Sequence, residues 1–409
     1  MPPLPPSIIL AKHLNDRDNA ADNKISNKVN RHLQILISLR VKQLLLTSLA
    51  TISITVVADT PSDNRLSAIH SRSAAFPAIN RDADTALQGD GYGFVNDNDS
   101  LLDNLRKISE EGTALEGRSR GILVLPGDES TLVSELENAA NGKTSFAAGG
   151  HFALLSKNKN WIVVGGAEFN GSGRFFYDED DATRLRFATV LGLFSFGELQ
   201  SSINVNALWT NYLGLNYRYT NGSMPDTRIG MTAKIQNISV IERRISIADY
   251  DEDKLFDRTR DVENYLQLNA DIGLEHQINQ WIVGIDLRDI YQQEMIGPEG
   301  TRYQQRSHIS TNINYTADWG SLRLDVDITP EKGFGELTSR KTYELSTLLP
   351  LNAKMDLLLG YQWLDSDTDS DLPTAGLRYR LGEQLRIEVQ FSYAGTREFG
   401  GGASLQLPL

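Results

Sequence analysis

The sequence predicts an all-β fold: a transmembrane antiparallel up-and-down β-barrel of about fourteen strands, with a small helical insert and an amino-terminal plug-like segment. Three observations predict it. Segments of strict period-two alternation run for about nine to twelve residues, which is membrane-crossing length against the five or six of ordinary soluble sheets. Trp161, Trp281 and Trp319 lie at segment ends beside short turns and Trp363 at the opposite end of its segment, all on the apolar parity, as in interfacial aromatic girdles. The connections alternate short and long, as periplasmic turns and outside loops do.

The amino end comes first. Residues 1–40 mix prolines (MPPLPP) with polar stretches and read as a non-native or disordered extension. Residues 41–58 (VKQLLLTSLATISITVVA) have a basic Lys42, an apolar core and the small Ala58 that signal peptidase requires. Translation is therefore expected to begin at Val41 and the exported chain at Asp59. Residues 59–88 are small-residue-rich and are expected to form a periplasmic or lumen-plugging segment, ahead of a barrel over 89–409. GDGYGFVND (89–97) is the expected first strand.

Between 98 and 144 the period changes. Leu101, Leu102, Leu105 and Ile108, then Leu132, Val133, Leu136 and Ala139, fall at helical spacing, so a helical hairpin is expected in the first outside loop. Strands follow at 145–155, 161–170, 201–220, 227–242, 263–276, 281–291, 303–318, 321–330, 341–349, 354–364, 374–381, 384–394 and 398–409. Residues 181–199 leave helix and strand both open. In 265–275, Leu266, Leu268, Ala270, Ile272 and Leu274 alternate with Gln267, Asn269, Asp271, Gly273 and Glu275; 309–319, 322–328 and 385–393 repeat the pattern. Alternate side chains point to opposite faces of a strand, so each segment has one apolar and one polar face. With 89–97 the strands number fourteen, an even count, and both chain ends fall on the short-turn side.

Composition excludes several classes. There are no cysteines, hence no disulfides, thiolate metal sites or cysteine nucleophiles. A net charge of −13 opposes nucleic-acid binding, which needs a basic surface. No phosphate-cradling or dinucleotide motif occurs, and no enzyme activity or cofactor is expected.

The helical insert SLLDNLRKISEEGTALEG, the pair FAAGGHFALL and WIVVGGAEF, YLGLNYRY followed by IGMTAKIQ, and TADWGSLRLDVDITPEKGFG resemble the TraF-like conjugal-transfer outer-membrane proteins, a family related to the FadL-type hydrophobic-compound transporters. The resemblance covers roughly 65–409. It implies a fourteen-stranded barrel with an amino-terminal hatch in the outer membrane of a Gram-negative bacterium. As function it implies a passive channel or uptake porin for small compounds, hydrophobic ones among them, or a structural accessory of a conjugal-transfer or secretion apparatus. The expected partners are outer-membrane lipid and lipopolysaccharide, with a small hydrophobic ligand or conjugation-apparatus proteins.

The functional candidates are inward charges. Asp271, Asp286, Arg288, Arg323, Asp325, Asp327, Arg378, Arg380, Arg386 and Glu388 all fall on the polar parity, either as a salt-bridge ladder or as a constriction that sets selectivity. The exported histidines, His70, His151, His276 and His308, show no ligand spacing, so no metal site is expected. His308 with Ser310 could be imagined as a hydrolytic pair; plain lumen lining is the expected reading. Acidic loops at 178–182, 250–254 and 364–371 are expected to be solvated; Asp365, Asp367 and Asp369 are the weak metal candidates, bridging to lipopolysaccharide phosphates.

Overall fold

The computed structural model describes residues 86–97, 99–119, 127, 129–155, 160–191, 196–222, 224–249, 257, 259–366, 371–382, 385–395 and 397–408. The extension over 1–40, the signal peptide over 41–58 and residues 59–85 of the plug expected over 59–88 lie outside the described residues; the last three residues of that plug, Ala86–Gln88, instead begin the first barrel strand.

The described residues form sixteen strands: β1 (Ala86–Asn96), β2 (Lys143–Leu155), β3 (Trp161–Phe176), β4 (Ser202–Asn221), β5 (Met224–Ser246), β6 (Val262–Ile278), β7 (Trp281–Arg288), β8 (Gln293–Ile296), β9 (Arg302–Gln305), β10 (His308–Ala317), β11 (Gly320–Asp327), β12 (Lys341–Asn352), β13 (Met355–Asp365), β14 (Leu372–Leu381), β15 (Leu385–Gly395) and β16 (Glu398–Pro408). Fourteen of them, all but β8 and β9, close into one antiparallel barrel. Closure is the pairing of β1 with β16, in which Ala86 faces Pro408 and Asn96 faces Glu398. Closing the sheet leaves no free edge strand, so the ladder pairs the backbone groups of the wall with one another, the condition for a strand to sit in lipid.

The alternation resolves as expected, apolar outside and polar inside. On β6, Leu266 is 77% and Leu268 69% exposed, while the intervening Asn269 is 3% and Asp271 1%. The residues whose central packing would overturn a barrel behave likewise: Leu268, Val326, Ile313 and Ile387 lie outside every buried apolar cluster except for Ile387, which only flanks one at the β15–β16 rim. All five tryptophans, Trp209 included, are exposed on the outer face. On β3 and β4, Trp161 pairs with Tyr217 and Phe169 with Trp209, eight positions apart. At about 3.3 Å per residue and a tilt of about 40° this separates two aromatic belts by roughly 20 Å, close to the apolar band of a membrane barrel.

Among the described residues three α-helices lie on the long-loop side: α1 (Leu101–Ser119), α2 (Ser130–Ala139) and α3 (Glu179–Leu191). The first two are the expected hairpin. The third settles 181–199 largely as helix, started by Asp178, whose Oδ1 accepts the Asp180 N–H at 2.9 Å. Leu101, Leu105, Ile108, Leu132, Leu136 and Leu185 pack with Phe175, Ile203 and Ile247. Phe175 and Ile203 have the outward parity of β3 and β4, so the helices cover the outer face where these strands overhang. No described helix is long and apolar enough to cross a membrane.

Several expected strand bounds are corrected: β3 runs past 170 to Phe176, β5 past 242 to Ser246, and β11 stops at Asp327 short of 330. The stretch 281–291 ends at Arg288, because Asp289 takes a left-handed conformation (φ 51°) and turns the chain. The stretch 303–318 divides at Arg306–Ser307 into β9 and β10, and β9 pairs with β8 in a separate hairpin instead of the wall. Tight turns close the other side; the Ile278–Trp281 turn has Asn279 at φ 54°.

Candidate functional site

The barrel encloses a cavity of about 430 Å³ lined by inward side chains of both halves of the wall. Its mouth is narrowed from the long-loop side. The β8–β9 hairpin and the 328–340 connection fold inward and place Met295, Tyr303 and Phe334 against Leu208, Ile238 and Val240 of β4 and β5. Polar contacts fix both pieces. The Glu242 carboxylate accepts the Glu299 N–H at 3.1 Å, the Thr301 N–H at 3.3 Å and the Thr301 hydroxyl. Gln305 Oε1 accepts from Gln236 at 3.0 Å and Gln267 at 2.6 Å. Asn206 Oδ1 accepts the Glu336 N–H at 2.9 Å, so a loop between β11 and β12 reaches the opposite wall. Gly335 permits this approach: its φ is +53°, and a Cβ there would stand 2.5 Å from Asn206 Oδ1. In the same loop Glu331 and Arg340 join at 2.9 Å, and Arg340 holds the Glu331 carboxyl below its ordinary range.

Charged groups meet at mid-lumen by strand register. Asp90 faces His151 across β1–β2. His151 Nδ1 lies 2.9 Å from Asp90 Oδ1 and its Nε2 2.9 Å from Glu168 Oε1 on β3. The ring fits because its neighbour on β3 is Gly166, where a Cβ would come within 2.5 Å of it. Tyr92 and Tyr212 flank the imidazole, each with its centroid 6.2 Å away. Lys234 on β5 bridges Asp271 and Asp289, both at 2.9 Å, beside the Tyr212 ring. His308 Nε2 lies 2.9 Å from Asp327 Oδ1, and Asp327 Oδ2 accepts the Thr342 N–H at 2.9 Å.

Of the ten sequence candidates, Asp271 and Arg288 line the cavity. Arg323 binds Asp325 through two bonds of 2.6 and 2.7 Å, Arg378 binds Glu388 at 3.2 Å, and Arg380 binds Asp356 at 2.8 Å. The Arg378–Glu388 and Arg380–Asp356 pairs join neighbouring strands, whereas Arg323 and Asp325 both belong to β11. Asp286 is buried on the polar face of β7, and Arg386 occupies the same face of β15. Asp90, Glu168, Lys234 and Asp289 were missed, although parity in 145–155 and 161–170 places His151 and Glu168 on one face; only register brings Asp90 to them. Ser310 makes no hydrogen bond to His308, whose described partner is Asp327.

The acidic 178–182 segment is corrected from a solvated loop to a helix start. Asp181 is fully buried and accepts the Gln200 and Ser201 N–H groups and the Ser201 hydroxyl, at 2.6 to 3.0 Å. Asp365 is exposed; Asp367, Asp369 and 250–254 lie outside the described residues. Among the described residues no group of three acidic or histidine side chains could hold a metal ion.

No curated protein matches the sequence. Among solved structures the chain is similar to the P. putida toluene transporter TodX (9% identity, 80% of this chain and 89% of that one, TM-score 0.42). It is similar to the Ralstonia pickettii toluene transporter TbuX (10%, 79% and 87%, 0.39) and to a Pseudomonas aeruginosa FadL homologue (9%, 79% and 90%, 0.43). The sequence model of the family described as "F plasmid transfer operon, TraF, protein" matches residues 75–351. That match spans more than half of the chain, and the protein belongs to this TraF family.

Proposed function

We propose that the protein is an outer-membrane channel for the passive passage of small solutes. The observation that carries this reading is a closed wall with an apolar belted exterior around a charged, cavity-bearing lumen. An apolar exterior needs lipid, and a closed barrel is the β structure that satisfies its backbone there. The lining also bears on the solute. Asp90, Glu168, Lys234, Arg288 and Glu331 surround the cavity, and an apolar ligand offers no hydrogen-bond or charge partner to such groups. Polar solutes therefore fit this lumen better than the hydrophobic compounds that the family resemblance implies. The refolded full chain in planar bilayers tests the reading. Discrete conductance steps are expected; a heat-modifiable, folded barrel that gives no steps overturns it.

A second reading is a structural accessory of a transfer apparatus. The α1–α2–α3 layer favours it, since it sits on the outer face of the β3–β4 overhang and is tied to the rim by an Arg397–Asp103 pair at 2.6 Å. Loss of plasmid transfer from donor cells lacking the protein, with no loss of solute permeability, would favour this reading over the channel.

A further inference from the structure

Charge accounting around the cavity leaves atoms of opposite sign unmatched. Arg288 extends from the end of β7 into the cavity, yet it makes no ion pair or hydrogen bond among the described residues, and its Nε is buried. Four carboxylates act on it through space: Glu331, Glu168, Asp289 and Asp327. Each is already bonded elsewhere, to Arg340, His151, Lys234 and His308 respectively. This sets Arg288 apart from Arg323, Arg378 and Arg380, each neutralised by its own acid.

The acidic side has the complementary surplus. Asp90 and Glu168 share one imidazole, and Asp271 and Asp289 share one ammonium. Asp271 uses Oδ1 for Lys234 and for the Asp289 N–H, whereas its Oδ2 is buried without a hydrogen-bond partner. His308 Nδ1, across the β7–β10 ladder from Arg288, is also buried and unpartnered. Buried polar atoms cost free energy unless something bonds them, and a planar guanidinium is shaped for a carboxylate.

From these unmatched groups we infer that the cavity holds a docking site for a small zwitterion, with its carboxylate on Arg288 and its ammonium on the Asp271 side. The inference rests on the channel reading for its biological sense, but the binding it describes is separable from conduction. It deepens that reading by naming a solute class: compounds that carry both charges within one small body, such as a free amino acid.

Line broadening of the methyl resonance of L-alanine, titrated with the detergent-solubilised full chain, tests it. Wild type should broaden the resonance, and Arg288→Gln should weaken binding about tenfold. Asp271→Asn should weaken L-alanine while leaving acetate unchanged, and acetate and ethylammonium should each bind wild type more weakly than L-alanine does. Heat-modifiable mobility verifies that each variant folds, and Arg288→Lys, which keeps the charge and loses the fork, provides a second variant. Undiminished L-alanine binding by a folded Arg288→Gln, or acetate binding as tightly as L-alanine, overturns the inference. A protein that binds L-alanine in this way but shows no bilayer conductance would remove the channel reading and leave the site standing.

Discussion

The β3–β5 wall and the β10–β16 wall obey the same alternation and use it differently. The first has strands of 16, 20 and 23 residues, the second strands of 8 to 12. On the long wall the upper inward face carries Leu208, Ile238 and Val240, buried by the hairpin and the 328–340 loop, and its overhanging outer face is buried by helices. The short wall is stitched inside by ion pairs, Arg323–Asp325 and Arg378–Glu388 among them. The difference teaches that parity decides only which residues share a face. What each face is made of depends on what lies opposite: water and counter-charges beside the short wall, folded-in chain beside the long one.

Breaking the short wall should have the largest effect. Asp325→Ala leaves the Arg323 guanidinium buried beside a lost partner, and such removal costs about 3–5 kcal/mol. The temperature at which the compact gel species disappears should fall sharply, and replacing both residues by leucine should recover much of the loss. Breaking the long wall should act locally. Phe334→Ala removes a ring from the mouth cluster, at about 3 kcal/mol or more to that cluster. Bilayer conductance should rise as the loop detaches, with little change in barrel unfolding; equal loss of barrel stability would show the two walls are not distinct. Leu268→Arg tests the outer face, with an expected loss of about 2–4 kcal/mol in lipid, read by denaturant unfolding in vesicles.

The smallest effect is one of pH. Arg340 keeps Glu331 ionised below the usual carboxylate value, so this pair stabilises the mouth loop fully above about pH 4.3. That contribution is lost only as pH falls through the lower folded value. Conductance should therefore change below about pH 4. A transition near pH 6.5 would instead place control on a histidine.

The wall was legible because period two is a local signal and Trp161, Trp281, Trp319 and Trp363 mark the ends of the strands that carry or adjoin them. The shifted boundaries at Arg288 and Arg306–Ser307 coincide with breaks in the alternation: Asp289 falls on the apolar parity of β7 and Ile290 on the polar one, and Gln304–His308 is a run of five polar residues across the junction of β9 and β10. What the sequence does not show is that β8 and β9 pair with each other instead of with the wall. The apolar patch at Leu208 and Ile238 was illegible because its cover comes from residues near 300 and 334. The ladder charges could be named from parity alone. The Asp90–His151–Glu168 group could not, since it depends on the register of glycine-rich strands that pair just as well in sequence when shifted.

The sidedness of the wall is tested most directly with two neighbours on β15. Val389 is 39% exposed outward and Gln390 lines the cavity. Because the chain has no cysteine, Val389→Cys and Gln390→Cys each take a single fluorescent label. The label at 389 should be quenched by brominated acyl chains and ignore aqueous iodide, and the label at 390 should do the reverse. Iodide quenching at 389 with protection from brominated lipid would contradict a lipid-facing barrel.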